Sequence, residues 1–321
     1  MITKKTKDMR RITYIALFLI GLGMFGCIKD PMSEITDGNW NKERNIINIT
    51  FEGQVGKATV TRNGDVGTIT FTYNTSTSKD FSAVKIGALE ISYGASASVK
   101  AGETLNFENT TKSATITVIP VNGEPLDWVV KLNPFTETLL GTWDITGLWV
   151  YGGTGPEYGG AGIIKMSDKS WCWPASEGPD KEQDNFLTFT MDGITTEGNT
   201  YGKVVNNAGA DGKYANFVYI LKTPNVDVNK FYRTLPKGNG TWTRNYAAGT
   251  VTFKFDDGTT KTGAFDAPGT YDLGNGKSRV LTTNAFTFSL NGVDDWTNIY
   301  TDYDRFVSRP RKYWVDIKKR P

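Results

Sequence analysis

The sequence of 321 residues contains no histidine and only two cysteines, Cys27 and Cys172. Without histidine there is no Ser-His-Asp or Cys-His catalytic set, no His-ligated metal, and no imidazole to switch near neutral pH. Two cysteines cannot build a four-thiolate zinc or iron–sulfur site. Proline is scarce beside glycine, 12 against 35, and this favours a β-rich chain with many tight turns. The apolar run Ile12 to Phe25 covers only 14 residues, whereas a spanning helix needs about 20. Any enzyme still allowed must work with carboxylates, Lys, Tyr, Ser or backbone groups.

An excess of one charge is also missing. There are 36 basic and 34 acidic residues, and the first 26 positions hold five of the basic and one of the acidic. Residues 27–321 are therefore slightly negative, which argues against nucleic acid as a partner. The basic stretch 309–320 is interleaved with Tyr313, Trp314, Val315 and Ile317, the pattern of a strand with a solvated basic face.

A basic start, the apolar run and then Met24-Phe25-Gly26-Cys27 read as a signal peptide. The last four residues resemble the lipobox of bacterial lipoproteins. That resemblance implies removal of residues 1–26 and lipidation of Cys27. The following Ile28-Lys29-Asp30 resembles the surface-export signal of Bacteroidetes lipoproteins, which implies an outer-membrane, surface-facing location with the membrane held through the lipid. Residues 27–44 are polar and read as a tether.

The rest is expected to be all-β, in two domains. Residues 45–135 alternate with period two and turn at Asn63-Gly64 and Asn122-Gly123, giving about seven short strands. This is the pattern of an immunoglobulin-like sandwich. The segment 99–107 with 114–118 is similar to immunoglobulin-like spacer modules of Bacteroidetes surface lipoproteins. After a linker, residues 140–321 form a larger unit. Strands are expected near 142–151, 161–167, 185–191, 201–206, 214–222 and 229–235. Others follow at 240–246, 250–255, 259–265, 269–273, 278–283, 285–290 and 312–318. A jelly-roll-like sandwich is the first expectation. A lipocalin-like barrel is the alternative, because Gly141-Thr142-Trp143 resembles the opening of such barrels. Trp296, Ile299, Tyr300, Tyr303, Phe306 and Val307 recur with helical spacing, so a short helix is expected between Asp294 and Pro310.

The second unit is rich in tryptophan and tyrosine. Flat aromatic rings cover the C–H faces of sugars at low entropy cost, and nearby polar groups fix the hydroxyls. Three clusters qualify as candidate glycan-binding residues: Trp149, Tyr151, Glu157 and Tyr158; Trp171 and Trp173; and Trp296 with Tyr300. If extended, Trp171 and Trp173 share a face at roughly 6.5–7 Å. Trp149 and Tyr151 share strand parity with Trp143 and Ile145, which puts them in the core unless Gly147 marks a bulge that reverses the facing. Cys172 reads as a small buried apolar residue. Glu182-Gln183-Asp184 is similar to the start of the Glu-x-Asp-x-x-Glu strand of laminarinase-like hydrolases. Leu187 stands where the last Glu belongs, so the motif fails. Neither a cofactor nor a metal site is expected.

Lipid anchor, tether, spacer and aromatic-rich terminal domain together resemble the surface glycan-binding lipoproteins of Bacteroidetes polysaccharide-utilisation systems. The resemblance implies non-catalytic capture of a polysaccharide or oligosaccharide for an outer-membrane transporter complex. Two other readings remain. One is a fimbrillin-like structural subunit that exchanges its C-terminal strand around Trp314. The other is a carboxylate-dependent glycoside hydrolase.

Overall fold

A computed structural model of the chain describes residues 41–76 and 79–321. The expected signal peptide, Cys27 and most of the tether lie outside the described residues. The N-terminal domain comprises β1 (Ile46–Phe51), β2 (Gln54–Asn63), β3 (Val66–Asn74), β4 (Val84–Ile91), β5 (Ser96–Ala97), β6 (Thr104–Leu105), β7 (Ser113–Ile119) and β8 (Leu126–Phe135). They form two sheets, β1-β4-β6 and β2-β3-β8-β7-β5. Among the described strands, β3 and β8 alone pair in parallel. Alternation supplies the core: Ile49 and Phe51 from one sheet meet Ile69, Phe71, Val118, Trp128 and Val130 from the other. Phe51 stacks on Phe71 at 3.9 Å, and the buried indole of Trp128 donates to the Arg44 carbonyl at 3.0 Å.

The second domain begins with β9 (Gly141–Gly152) and β10 (Gly162–Lys165), then β11 (Phe186–Ile194) and β12 (Thr200–Asn207). A hairpin of β13 (Val218–Tyr219) and β14 (Val226–Asp227) leads to the helical turn α1 (Asn229–Tyr232). There follow β15 (Gly238–Asn245), β16 (Thr250–Phe255), β17 (Thr260–Asp266), β18 (Gly269–Gly274), β19 (Lys277–Leu281), β20 (Asn284–Ser289) and β21 (Pro310–Lys319). Residues 229–235, expected as a strand, form α1 and a loop. There the adjacent Phe231 and Tyr232 are both buried, which breaks the alternation a strand would show.

The strand pairing differs from the two open sheets of a jelly roll. Strands β9-β11-β12-β15-β16-β17-β20-β21 pair antiparallel in succession, and β21 pairs back onto β9, closing a ring of eight. Closure leaves β21 bonded along both edges, so neither edge is open to another chain. The interior is filled by Trp143, Phe189, Trp242, Phe253, Phe286 and Tyr313, all buried. A cavity of about 10 Å³ remains beside Ile145, Glu182 and Tyr313, roughly the space of one water.

The two ends of this barrel are unlike. At one end the turn after β11 touches the N-terminal domain, with the Gly56 amide donating to the Gly198 carbonyl at 2.9 Å. Glu137, between the domains, accepts from Arg244 and Thr200, each at 2.6 Å, and from Tyr246. Phe135 packs edge-on against Tyr246 at 5.2 Å. The opposite end carries the long connections 153–161, 166–185, 208–237 and 290–309.

Candidate functional site

Strand β9 decides the fate of the first aromatic cluster. Gly147 lies opposite Asp316 and Ile145 opposite Ile317, so Thr146 has no partner and forms a bulge. Beyond it Leu148 and Val150 point into the barrel, and Trp149 and Tyr151 point out. The outward face is nevertheless covered. The β18–β19 hairpin folds back along the wall, and Tyr271, Leu273 and Leu281 pack there with Tyr151 and Trp314. Arg279 lies between the rings of Trp149 and Trp314, at 4.9 and 4.6 Å, and donates to both oxygens of Asp316 at 2.8 and 2.7 Å. Burial raises the Asp316 carboxyl above its ordinary value, although Arg279 partly offsets it. Tyr151 is buried and Trp149 half-buried. Neither forms an open platform, because the hairpin covers them, and its distance in sequence hides that cover from a local reading.

The second cluster also separates. Residues Met166–Cys172 form a 3₁₀-type segment, and the Trp173 amide donates to the Ser170 carbonyl at 3.2 Å. Trp171 therefore faces solvent, whereas Trp173 is buried against Phe306, Tyr219 and Tyr232. A shared face would have required extended backbone. Cys172 is buried between them.

The third cluster gains members. The helix expected from 294 shrinks to residues 302–308, ending in a single wide helical turn, Asp304–Ser308. Tyr300 has φ 72°, a left-handed conformation that ends any helix approaching it. The apparent helical period arises instead from a folded loop, with Phe306 turned inward and Trp296 and Tyr300 turned out. Tyr158, on the loop after β9, meets this segment: its ring lies 6.0 Å from that of Trp296, inclined at 61°. The Tyr300 hydroxyl donates to the Tyr158 carbonyl at 3.3 Å. Tyr158, Trp296 and Tyr300 remain 65%, 55% and 55% exposed, and Glu157 is exposed beside them. Trp171 stands at the same barrel end. Lys169 lies 5.0 Å from its ring and 3.0 Å from a carboxylate oxygen of Asp302, two residues beyond Tyr300.

A buried polar network fixes this aromatic group. Asp304 is fully buried and accepts from the Thr154 amide at 2.7 Å and the Thr154 hydroxyl at 2.8 Å. The same hydroxyl accepts from the Asp295 amide at 2.6 Å. Asp295 in turn accepts from Asn298 and Ser308, and these bonds hold its carboxyl below the usual range. Gly155, at φ 60°, backs both rings; a Cβ there would stand 3.1 Å from Tyr158 and 3.2 Å from Trp296. Thr154 and Asp304 escaped the sequence reading because they are 150 residues apart and neither belongs to a motif.

Apart from Glu157, the carboxylates beside the aromatic group are engaged. Asp302 pairs with Lys169, and Asp294 with Arg309 and Arg311. Glu182, of the failed hydrolase motif, is buried and paired with Arg233 at 2.6 Å; the Ala215 amide and Asn185 also donate to it. Its side chain thus serves the barrel interior. No group of three or more His, Cys, Asp or Glu among the described residues is arranged to hold a metal. No described helix is long and apolar enough to cross a membrane.

No protein-family model matches the chain, and no curated protein matches it. Among solved structures, a crystal structure from Bacteroides thetaiotaomicron described as a putative glycoside hydrolase covers 87% of this chain and 83% of its own. The identity is 12% and the TM-score 0.24. A superposition that loose carries no argument about fold or activity.

Proposed function

We propose that this chain is a non-catalytic surface glycan-binding lipoprotein whose binding surface is the distal end of the barrel. The observation that carries the reading is the group Tyr158, Trp296 and Tyr300, three exposed aromatics from two loops, held by the buried Thr154–Asp304 network. Exposed rings on a rigid base lose little entropy on binding and can stack on sugar faces. Trp171 extends the surface, and Glu157 offers a hydrogen-bond acceptor to hydroxyls.

The arrangement along the chain suits capture. The N-terminal sandwich, read as an immunoglobulin-like spacer, meets one end of the barrel. The barrel, lipocalin-like in its meander but filled where lipocalins are hollow, presents the aromatics at the other end. With the lipid on Cys27, those aromatics face away from the membrane toward glycan, and a transporter complex beside it is the natural recipient. The fimbrillin-like alternative needs a releasable C-terminal strand, whereas β21 closes the barrel and Trp314 is buried.

Stacking with a few hydrogen bonds leads to an affinity on the order of micromolar to millimolar. The test is affinity electrophoresis of the chain from residue 28 onward in gels holding plant, yeast and host polysaccharides. A reducing-end assay is run on the same mixtures. Retardation that is lost in the Tyr158→Ala/Trp296→Ala double variant, with no new reducing ends, supports the proposal. Retardation untouched by the double variant sinks the aromatic surface, and new reducing ends would make the protein a hydrolase.

A further inference from the structure

The loop that bears Trp296 and Tyr300 has a second feature at its base. A groove of about 440 Å³ runs between α1, the start of β17 and the two ends of this loop, lined in part by Asn291, Val293 and Ser308. It continues into a space of about 360 Å³ that shares Lys230, Phe231 and Lys261. Neither stretch is lined by an acidic residue.

Both lysines are held there. Lys261 donates to the Lys230 carbonyl at 2.8 Å, and the Lys230 ammonium lies 4.8 Å from the ring centre of Phe231. Among the described residues, no ion pair joins either ammonium to a carboxylate, whereas Arg309, next to the groove residue Ser308, is paired with Asp294. Thr234 lines the second stretch of the groove. Two unpaired cations without acids, on a chain that is slightly negative beyond residue 26, form a local site for an anion. Val293 and Trp296 are three residues apart, so groove and aromatic group are separated by no more than about 11 Å of chain.

We propose that this groove is an anion-binding subsite and that the glycan is acidic, its carboxylate or sulfate ester seated between Lys230 and Lys261 while a neighbouring sugar stacks on Trp296. This rests on the glycan-binding reading above and narrows it to polyanionic saccharides.

The chain from residue 28 onward is run in affinity gels holding polygalacturonate, its methyl ester, a sulfated galactan and a neutral glucan. Lys230→Gln/Lys261→Gln, the charge-keeping Lys230→Arg/Lys261→Arg and Trp296→Ala are run beside it. The expected result is retention by an acidic polymer that falls roughly five- to tenfold in the Gln variant and survives in the Arg variant. That loss should be larger at about 0.05 M than at about 0.5 M salt, because screening shortens the reach of the two charges. Preference for polygalacturonate over its ester identifies a carboxylate, and preference for the sulfated galactan identifies a sulfate; either supports the subsite. Equal retention by the neutral glucan, unchanged in the Gln variant, overturns the subsite and leaves the aromatic reading standing. Acidic retention that survives Trp296→Ala and disappears in the Gln variant keeps the subsite and sinks the aromatic reading. No retention on any polymer overturns both.

Discussion

Tyr158 and Trp296 come from loops at the ends of different strands, yet their rings meet at 6.0 Å and both stay largely in solvent. Two large exposed rings in contact bury some apolar area against each other and still offer their outer faces. Such a surface has a use only if something covers it.

Trp296 and Trp173 therefore separate function from stability. Trp296→Ala should weaken glycan binding by about 1 kcal/mol or more and change folding stability by roughly 0.5 kcal/mol at most, as for other exposed sites. Trp173→Ala removes a fully packed indole and should cost about 3–5 kcal/mol of stability. Titration calorimetry against the retained glycan, with a thermal melt of each variant, decides this. Equal destabilisation by both substitutions would contradict the exposure of Trp296.

Asp304 should behave as a positioning residue. It touches no solvent, but its carboxylate satisfies the amide and the hydroxyl of Thr154. Asp304→Ala strands both donors, at about 1–3 kcal/mol each. It also removes two of the bonds that join the 153–161 loop to the 290–309 loop and leaves those of Asp295, Tyr300 and Arg305. Both urea stability and glycan retention should fall. Asp304→Asn, which keeps one acceptor oxygen, should recover part of each. Retention at the parental level in a destabilised Asp304→Ala protein would show that the aromatics do not depend on the network.

How much of this was legible in the sequence varies with the range of the interaction. Alternation and Asn-Gly turns are local, and they mark most strands; the same local pattern leaves the facing of Trp149 open, and the unpaired Thr146 decides it. Strand-like spacing also paired Trp171 with Trp173, and helical spacing joined Trp296 to Val307. In both places backbone bonds within a few residues bent the chain into another shape. Closure of the barrel depends on β21 returning to β9, and cover over Trp149 depends on a hairpin more than a hundred residues later. Nothing in a local window records either event. Trp296 and Tyr300 form one cluster in the sequence and Tyr158 belongs to another, and only the fold brings Tyr158 to them.

The joint between the domains leads to a pH prediction. Burial alone would raise the Glu137 carboxyl, but hydrogen bonds from Thr200, Tyr246 and the Leu139 amide, with the charge of Arg244, outweigh it and leave the group below its ordinary 4.5. A carboxyl lowered by folding adds stability that is present above its unfolded value and is lost as pH falls through the folded one. Glu137→Gln should therefore be less stable than the parent at pH 7, by about 3 kcal/mol for a buried pair with Arg244. The gap should narrow as pH drops below about 4.5. Urea titrations from pH 7 to pH 3 measure it, and a gap that stays constant would assign the loss to packing rather than charge.

Cys172 reports on the end of the barrel proposed to bind glycan. Burial pushes its thiol up to about 11, the Asp302 carboxylate adds to the shift, and the Lys169 ammonium opposes it. At pH 8 roughly one thiol in a thousand is ionised, and the sulfur has no path to solvent while the 166–173 turn is closed. In the chain from residue 28 onward this is the sole cysteine. A disulfide reagent should therefore leave the native protein unlabelled for hours and modify it fully in concentrated guanidinium. The sulfur lies 4.0 Å from Asp302, on the segment that carries Tyr300. A glycan bound across Trp171 and Tyr300 should hold that segment closed and slow the labelling further. Fast labelling of the native protein would mean that the turn separating Trp171 from Trp173 opens readily. Trp173 could then join the exposed aromatics, and the glycan surface would be larger than the closed structure presents.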